Sequence, residues 1–235
     1  MPSSDASSAE GAPAAAVVVA GGTGTRFGGP VRKQYLEIGG VPVLLRALRP
    51  FLDHPRISTV VVVLPADDVA APPRWLAGLP VRIVAGGAER ADSVLNGLLA
   101  LDEDVGRVLI HDGARPFVSS EVIDRVLDAE GGAIAAVPVT DTIQRVDARG
   151  IIIDTPDRAA LWQAQTPQGF PGAGILEACR RASAEGLAAT DDAAVYARYV
   201  GPVRVVMGGY PNIKVTRPED LPIAEAIAAS SSSRS

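Results

Sequence analysis

Ala14-Ala15-Ala16-Val17-Val18-Val19-Ala20 runs without a polar residue and breaks into Gly21-Gly22-Thr23-Gly24-Thr25. A short apolar run that ends on glycines reads as a strand buried on both faces. Its glycine-rich exit lets backbone N–H groups approach an anion more closely than any larger residue would allow. The same alternation recurs downstream. Residues 58–64, 81–84 and 107–110 read as further strands, and residues 41–52 and 91–101 as amphipathic helices between them. Apolar strands alternating with helices predict an α/β domain with a mostly parallel sheet and helices on both faces. Ligands in such a domain sit beyond the carboxyl ends of the strands.

The interval 133–166 departs from that rhythm. Residues 134–139, 142–146 and 151–154 read as strands around an Asp147-Ala148-Arg149-Gly150 turn, so a β-arm over about 139–160 is expected to project from the sheet. Residues 175–185 and 191–199 read as helices, 203–207 as a strand and 218–229 as a closing helix. The serine-rich ends, 1–13 and 230–235, have little to bury and are expected to be disordered tails around one domain over 14–229.

Composition narrows the functional classes. Of the 235 residues 47% are hydrophobic, enough to fold, and the balance of 22 Lys and Arg against 27 Asp and Glu gives a formal net charge of −5. With no long basic run, nucleic acid is not expected as a partner. No apolar stretch approaches the roughly 20 residues of a membrane span, and the first residues lack the basic start of a secretory signal. The single cysteine, Cys179, excludes an internal disulfide and suits a reducing, cytoplasmic setting; it reads as a core thiol.

Three constellations carry chemistry. Arg26 and Lys33 add two cations just after the first glycine loop, which is neither a P-loop nor a dinucleotide fingerprint; they suit a triphosphate. Gly86-Gly87-Ala88-Glu89-Arg90-Ala91-Asp92-Ser93 repeats the strand–glycine–helix pattern. There the Ser93 hydroxyl either meets a nucleotide or supports the helix start, and Arg90 reads equally well as a surface cation. His111-Asp112-Gly113-Ala114-Arg115-Pro116 follows a strand, where Asp112 can hold Mg²⁺ and Arg115 clamp a phosphate. His111 reads as a hydrogen-bonded support. No Ser-His-Asp or Cys-His arrangement suggests covalent catalysis. Asp141-Thr142, Asp157-Arg158, Gln165-Thr166, Thr190-Asp191-Asp192 and Asn212-Ile213-Lys214 each read alone as turn or cap chemistry.

Taken in order, these blocks resemble the 2-C-methyl-D-erythritol 4-phosphate cytidylyltransferase family. They are Ala20-Gly21-Gly22 with Arg26 and Lys33-Gln34-Tyr35, His111 to Phe117, Asp141-Thr142-Ile143, Gln165 to Phe170 and Asn212 to Leu221. The resemblance implies a Rossmann-like nucleotidyltransferase fold, a homodimer formed through the β-arm, and transfer of a cytidylyl group from CTP to methylerythritol phosphate in isoprenoid biosynthesis. It implies catalytic roles for Arg26, Lys33, Arg158 and Lys214, and CTP contacts at Ala20, Gly21, Gly22, Gly87, Ala88, Ser93, Gly113 and Arg115. It further implies Asp112 as the Mg²⁺ ligand and acceptor contacts at Thr142, Thr166, Lys214 and a second copy's Arg158. Three places depart from the family's usual pattern: Ala20-Gly21-Gly22 replaces Ala-Ala-Gly, Arg32 replaces a proline before the lysine, and Ala88 stands where a more polar residue is common. The first is frequent in ribitol 5-phosphate cytidylyltransferases, the alternative reading. No fused cyclodiphosphate synthase domain is expected after Asp220-Leu221.

Overall fold

The structure, a computed structural model, describes residues 13–22, 32–187 and 191–232. Its strands are β1 (Ala14–Val19), β2 (Glu37–Ile38), β3 (Val41–Pro42), β4 (Ile57–Leu64), β5 (Arg82–Ala85), β6 (Arg107–Asp112), β7 (Gly132–Pro138), β8 (Arg145–Val146), β9 (Ile152–Asp154), β10 (Trp162–Pro171) and β11 (Val203–Met207). Its helices are α1 (Val43–Leu52), α2 (Ala66–Ala70), α3 (Arg74–Ala77), α4 (Arg90–Leu99), α5 (Ser120–Asp128), α6 (Gly172–Ala184), α7 (Asp192–Tyr199) and α8 (Asp220–Ser232).

Strand β1 shows why the chain folds in layers. Successive side chains on a strand point to opposite faces. Ala14, Ala16 and Val18 enter one core with Leu44, Leu48 and Phe51 of α1, while Ala15 and Val17 enter the other with Val94 and Leu98 of α4. The main sheet has the order β11-β7-β10-β6-β1-β4-β5. Helices α1, α3 and α5 contribute to the core on one face, and α4, α6 and α7 to the core on the other. Strands β4 and β6 both run parallel to β1, one on each side of it. The chain therefore reverses its progress across the sheet beside β1, and the crevice between the loops that leave β1 and β6 is the place for a ligand.

Several elements differ from the sequence expectation. Strand β10 is one of them, and it runs antiparallel to both β6 and β7, which makes the sheet mixed though still mostly parallel. Its polar centre disguises it: Gln165, Thr166 and Gln168 are all buried. The pairing with β7 shifts register between Ala164 and Gln168, so these side chains turn inward onto hydrogen-bonding partners. In the arm, only Arg145–Val146 and Ile152–Asp154 form a ladder, a two-stranded unit separate from the main sheet. Helix α5 is also additional, with Val122, Ile123, Val126 and Leu127 making its buried stripe. Helix α8 extends past residue 229 to Ser232, and the Ser230 hydroxyl donates to the Ala226 carbonyl at 2.9 Å, so serines expected in the tail continue the helix.

Helix α4 lies close on the sheet because Gly97 has no side chain. A Cβ there would overlap Val17 and press on Val63. Gly97→Ala is expected to lower stability by about 1–3 kcal/mol through overpacking, although alanine favours an isolated helix by about 1 kcal/mol. Urea unfolding checks the sign; a more stable variant would contradict this packing.

Candidate active site

Three loops meet at the carboxyl ends of the parallel strands. Beyond β1, the Ala20 N–H donates to the Val63 carbonyl at 2.8 Å, and the Gly113 N–H donates to the Val19 carbonyl at 2.8 Å. These bonds join the loops after β1 and β6 to the sheet. Beyond β5, the Ser93 hydroxyl accepts from the Gly87 N–H and donates to the Glu89 carbonyl, both at 3.1 Å. Ser93 therefore ties the second glycine loop onto the first turn of α4. A Cβ on Gly86 would come within 2.7 Å of that hydroxyl, so glycine is required there. The Glu89 N–H donates to Asp92, whose role is to support the start of the helix.

The loops enclose a cavity of about 670 Å³. Ala20, Gly21, Gly22 and Lys33 line one side, Gly87, Ala88 and Ser93 another, and Asp112, Gly113 and Lys214 a third. Ten of the residues singled out from sequence thus come together. Four do not line it. Thr142 and Arg158 are exposed on the arm, where Arg158 donates to the Thr140 carbonyl at 3.0 Å. Arg115 is turned inward and donates to the carbonyls of Asn212 at 2.8 Å and Ala164 at 3.3 Å, so both its Nη groups hold backbone rather than facing the cavity. Thr166 is buried behind Asp112. Arg26 and Thr190 lie outside the described residues.

Asp112 is the electrostatic centre. Lys214 Nζ stands 2.7 Å from Oδ2, Arg90 Nε 3.3 Å from Oδ1 and Arg115 Nε 4.0 Å from Oδ2. Burial alone would raise this carboxyl, but the Arg90, Lys214 and Arg115 charges outweigh it and hold it far below the usual carboxylate range. Arg90 also makes a forked pair with the buried Asp192 at 3.0 and 2.8 Å, linking α4 to the start of α7. Burial would lower the Arg90 guanidinium, and Asp192 and Asp112 together raise it instead.

Arg90 and Asp192 are the residues that sequence reasoning undervalued. One reads as a surface cation, the other as part of a helix cap. Asp191 does serve as the cap, accepting from the Ala194 N–H at 2.9 Å, and this leaves the neighbouring carboxylate to turn inward.

Behind Asp112 runs a directional chain of hydrogen bonds. The Asp112 N–H donates to Thr166 Oγ1 at 3.0 Å, the Thr166 hydroxyl donates to His111 Nδ1 at 3.0 Å, and His111 Nε2–H donates to the Arg115 carbonyl at 3.1 Å. The carbonyl can only accept, so Nε2 carries a proton, and burial, which pushes the imidazole down to about 4, leaves Nδ1 unprotonated and able to accept at neutral pH. His111 is a support, as the sequence suggested.

The sequence model of 2-C-methyl-D-erythritol 4-phosphate cytidylyltransferase matches residues 14–230. The chain belongs to this family. A family enzyme of that name from Geobacter metallireducens is 43% identical over 222 residues, 90% of this chain and 95% of the relative. Another from Synechococcus sp. (strain WH7803) is 45% identical over 218 residues, 91% of this chain and 98% of the relative. Solved structures agree. The 4-diphosphocytidyl-2C-methyl-D-erythritol synthase from Anaerococcus prevotii superposes with a TM-score of 0.83 at 31% identity, covering 93% of this chain and 96% of its own. The cytidylyltransferase from Thermus thermophilus superposes at 0.76 with 36% identity, covering 92% of this chain and 98% of its own. The Rossmann-like nucleotidyltransferase fold is thereby the fold of this chain.

Burial, the largest influence on His111, pushes its imidazole down to about 4 from an ordinary 6.5. The unfolded chain therefore takes up a proton between those values and the folded chain does not. Stability contributed by the neutral ring is present above pH 6.5 and falls as the pH drops towards 4. With His54 replaced by glutamine, a single ring remains to follow by NMR. Its midpoint is expected near 4, and a midpoint near 6.5 would contradict the buried chain.

Proposed function

We propose that this chain transfers the cytidylyl group of CTP to 2-C-methyl-D-erythritol 4-phosphate, releasing pyrophosphate, as a step of isoprenoid biosynthesis. The observation that carries the reading is the convergence of Lys33, Asp112 and Lys214 on one cavity at the strand ends, in a chain of this family. Family membership over nearly the whole chain outweighs the Ala20-Gly21-Gly22 form that pointed to ribitol 5-phosphate.

The chemistry needs positioning and charge neutralisation more than proton transfer. An oxygen of the acceptor's phosphate, anionic at neutral pH, attacks the α-phosphorus of CTP in line. The bond to the β-phosphate oxygen breaks, and the electron pair leaves with pyrophosphate. Lys33, with Arg26, opposes the charge that gathers on the transferring group. Backbone groups of Ala20, Gly21, Gly22, Gly87, Ala88 and Gly113 frame the nucleotide, with Ser93 holding the second loop in shape. Lys214 turns from Asp112 to the acceptor's phosphate. Arg115 acts at one remove, bracing the loop after β6, and Thr166 contributes through the Asp112 amide.

Asp112 fits a magnesium ligand. It is an ionised carboxylate at the cavity wall, and Mg²⁺ is bound through one or two carboxylates with water and phosphate oxygens completing its shell. Bound there, the ion would neutralise charge on the triphosphate oxygens.

The arm supports a dimer. Ile151, Ile152, Ile153 and Val146 are each at least half exposed on a two-stranded unit, an apolar surface that a second copy would cover. In that assembly Thr142 and Arg158 of the arm would reach the neighbouring cavity and complete its acceptor site. The free thiol of Cys179, the chain's single cysteine, suits an enzyme of the reducing cytoplasm. No described helix is long and apolar enough to cross a membrane.

Pyrophosphate release with CTP and Mg²⁺, supplied with methylerythritol phosphate or ribitol 5-phosphate in parallel, tests the assignment. Turnover is expected with methylerythritol phosphate and is expected to fall at least about a hundredfold in Lys33→Ala, the scale of a lost charge-stabilising donor. Turnover with ribitol 5-phosphate alone would overturn the assignment.

A further inference from the structure

Lys33 stands on a short 3-10 turn, Lys33–Tyr35, and both ends of that turn are held by one carboxylate oxygen. Arg32 Nη1 donates to Asp68 Oδ2 at 2.8 Å, and the Tyr35 hydroxyl donates to the same oxygen at 2.6 Å. The Tyr35 N–H closes the turn onto the Arg32 carbonyl at 2.9 Å. Between them, buried Gln34 donates to the Ala20 carbonyl at 3.0 Å and fixes the turn to the first glycine loop. Asp68 belongs to α2, outside every constellation read from the sequence.

An exposed ion pair of this length contributes about 0–1 kcal/mol and calls for no special role. Here three features go further. The two donors flank Lys33 in the chain, at one position before it and two after. They share a single acceptor atom, which sets their separation. The tyrosine ring is also wedged edge-on against Trp75, with centroids 6.4 Å apart. Two flanking residues bound to one point remove the turn's freedom to tilt, and Lys33 reaches the cavity from that turn.

We propose that Asp68 is a positioning residue for Lys33: by gathering Arg32 and Tyr35 on one oxygen, it fixes the turn from which the Lys33 ammonium meets the reacting phosphates. The proposal rests on the catalytic reading of Lys33. Asp68 itself touches no substrate. In this chain Arg32 supplies a contact to Asp68 that a proline at that position, the family's usual residue, lacks the donors to make. Displacement of a catalytic group by about 1 Å can cost on the order of a hundredfold in rate, so the effect belongs in kcat.

The test is a double-mutant cycle on kcat and KM, with Asp68→Ala, Tyr35→Phe and Asp67→Ala each made in the natural chain and in Lys33→Ala. Asp68→Ala is expected to lower kcat about tenfold or more, with KM for CTP within about twofold. Tyr35→Phe deletes the 2.6 Å bond while keeping the ring on Trp75, and is expected to lower kcat about threefold even if Asp68→Ala folds poorly. Asp67→Ala removes the same charge from a side chain that is 91% exposed and meets Arg32 at 3.6 Å, longer than a hydrogen bond, and it is expected to match the natural enzyme.

In the Lys33→Ala background, the Asp68 and Tyr35 changes are expected to have no further effect on residual turnover, because their effect passes through the missing lysine. Equal losses in both backgrounds would overturn the proposal, as would full activity of both single variants. A fully active Lys33→Ala would instead overturn the catalytic reading of Lys33, and the positioning role would fall with it.

Discussion

One buried carboxylate organises this molecule. Asp112 ends the central strand β6 with three cationic side chains within 4.0 Å of it. Each comes from a different part of the chain: Arg90 from the start of α4, Arg115 from the loop after β6, and Lys214 from the segment after β11. A charge buried without partners is costly, so folding must bring these segments to one place. Arg90 extends the demand by a further step, through its forked pair with Asp192 at the start of α7. The same electrostatic requirement that closes the fold brings Lys33, Arg90 and Lys214 to one cavity with Asp112.

That cavity suits nucleotidyl transfer because the reaction offers no difficult proton to move. Cations and backbone amides at the strand ends can be fixed before substrate arrives, which is the arrangement that stabilises charge most effectively in a site from which water is excluded. The support behind the site follows the same logic. Ser93 is used between Gly87 and Glu89, Thr166 between Asp112 and His111, and Gln34 on the first loop. Hydroxyls and amides in these motifs are, in the folded chain, bonded to the loops and strands that line the cavity.

The fold was legible where periodicity was strong. The alternation of Ala14 to Val18 between two cores is readable from the residues alone, and so are the strand before His111-Asp112 and the helix that buries Leu44, Leu48 and Phe51. Strand β10 was not, because its buried Gln165, Thr166 and Gln168 carry the composition of a loop, and only their distant partners explain them. Gln165 Nε2 donates to Gly209, and Gln168 accepts from the Ala193 N–H, contacts 44 and 25 residues away. The site was legible as a set of blocks whose order resembles a family. Arg90 was not, since nothing local distinguishes a cation that finds two carboxylates 22 and 102 residues on from one that faces water. Arg115 differs in the opposite direction: a cation three residues from a carboxylate suggests a phosphate clamp, and the structure commits it to two carbonyls.

The most direct test of Asp112 as the centre of a magnesium–nucleotide site is calorimetric titration of CTP into the natural chain and Asp112→Asn, each with Mg²⁺ and with a chelator. Without metal, a carboxylate beside a triphosphate repels it, so the variant should bind CTP at least as tightly as the natural chain. With Mg²⁺ the order should invert, the natural chain gaining about tenfold or more over the variant, which corresponds to about 1.4 kcal/mol. An equal effect of Mg²⁺ on both proteins would contradict the account.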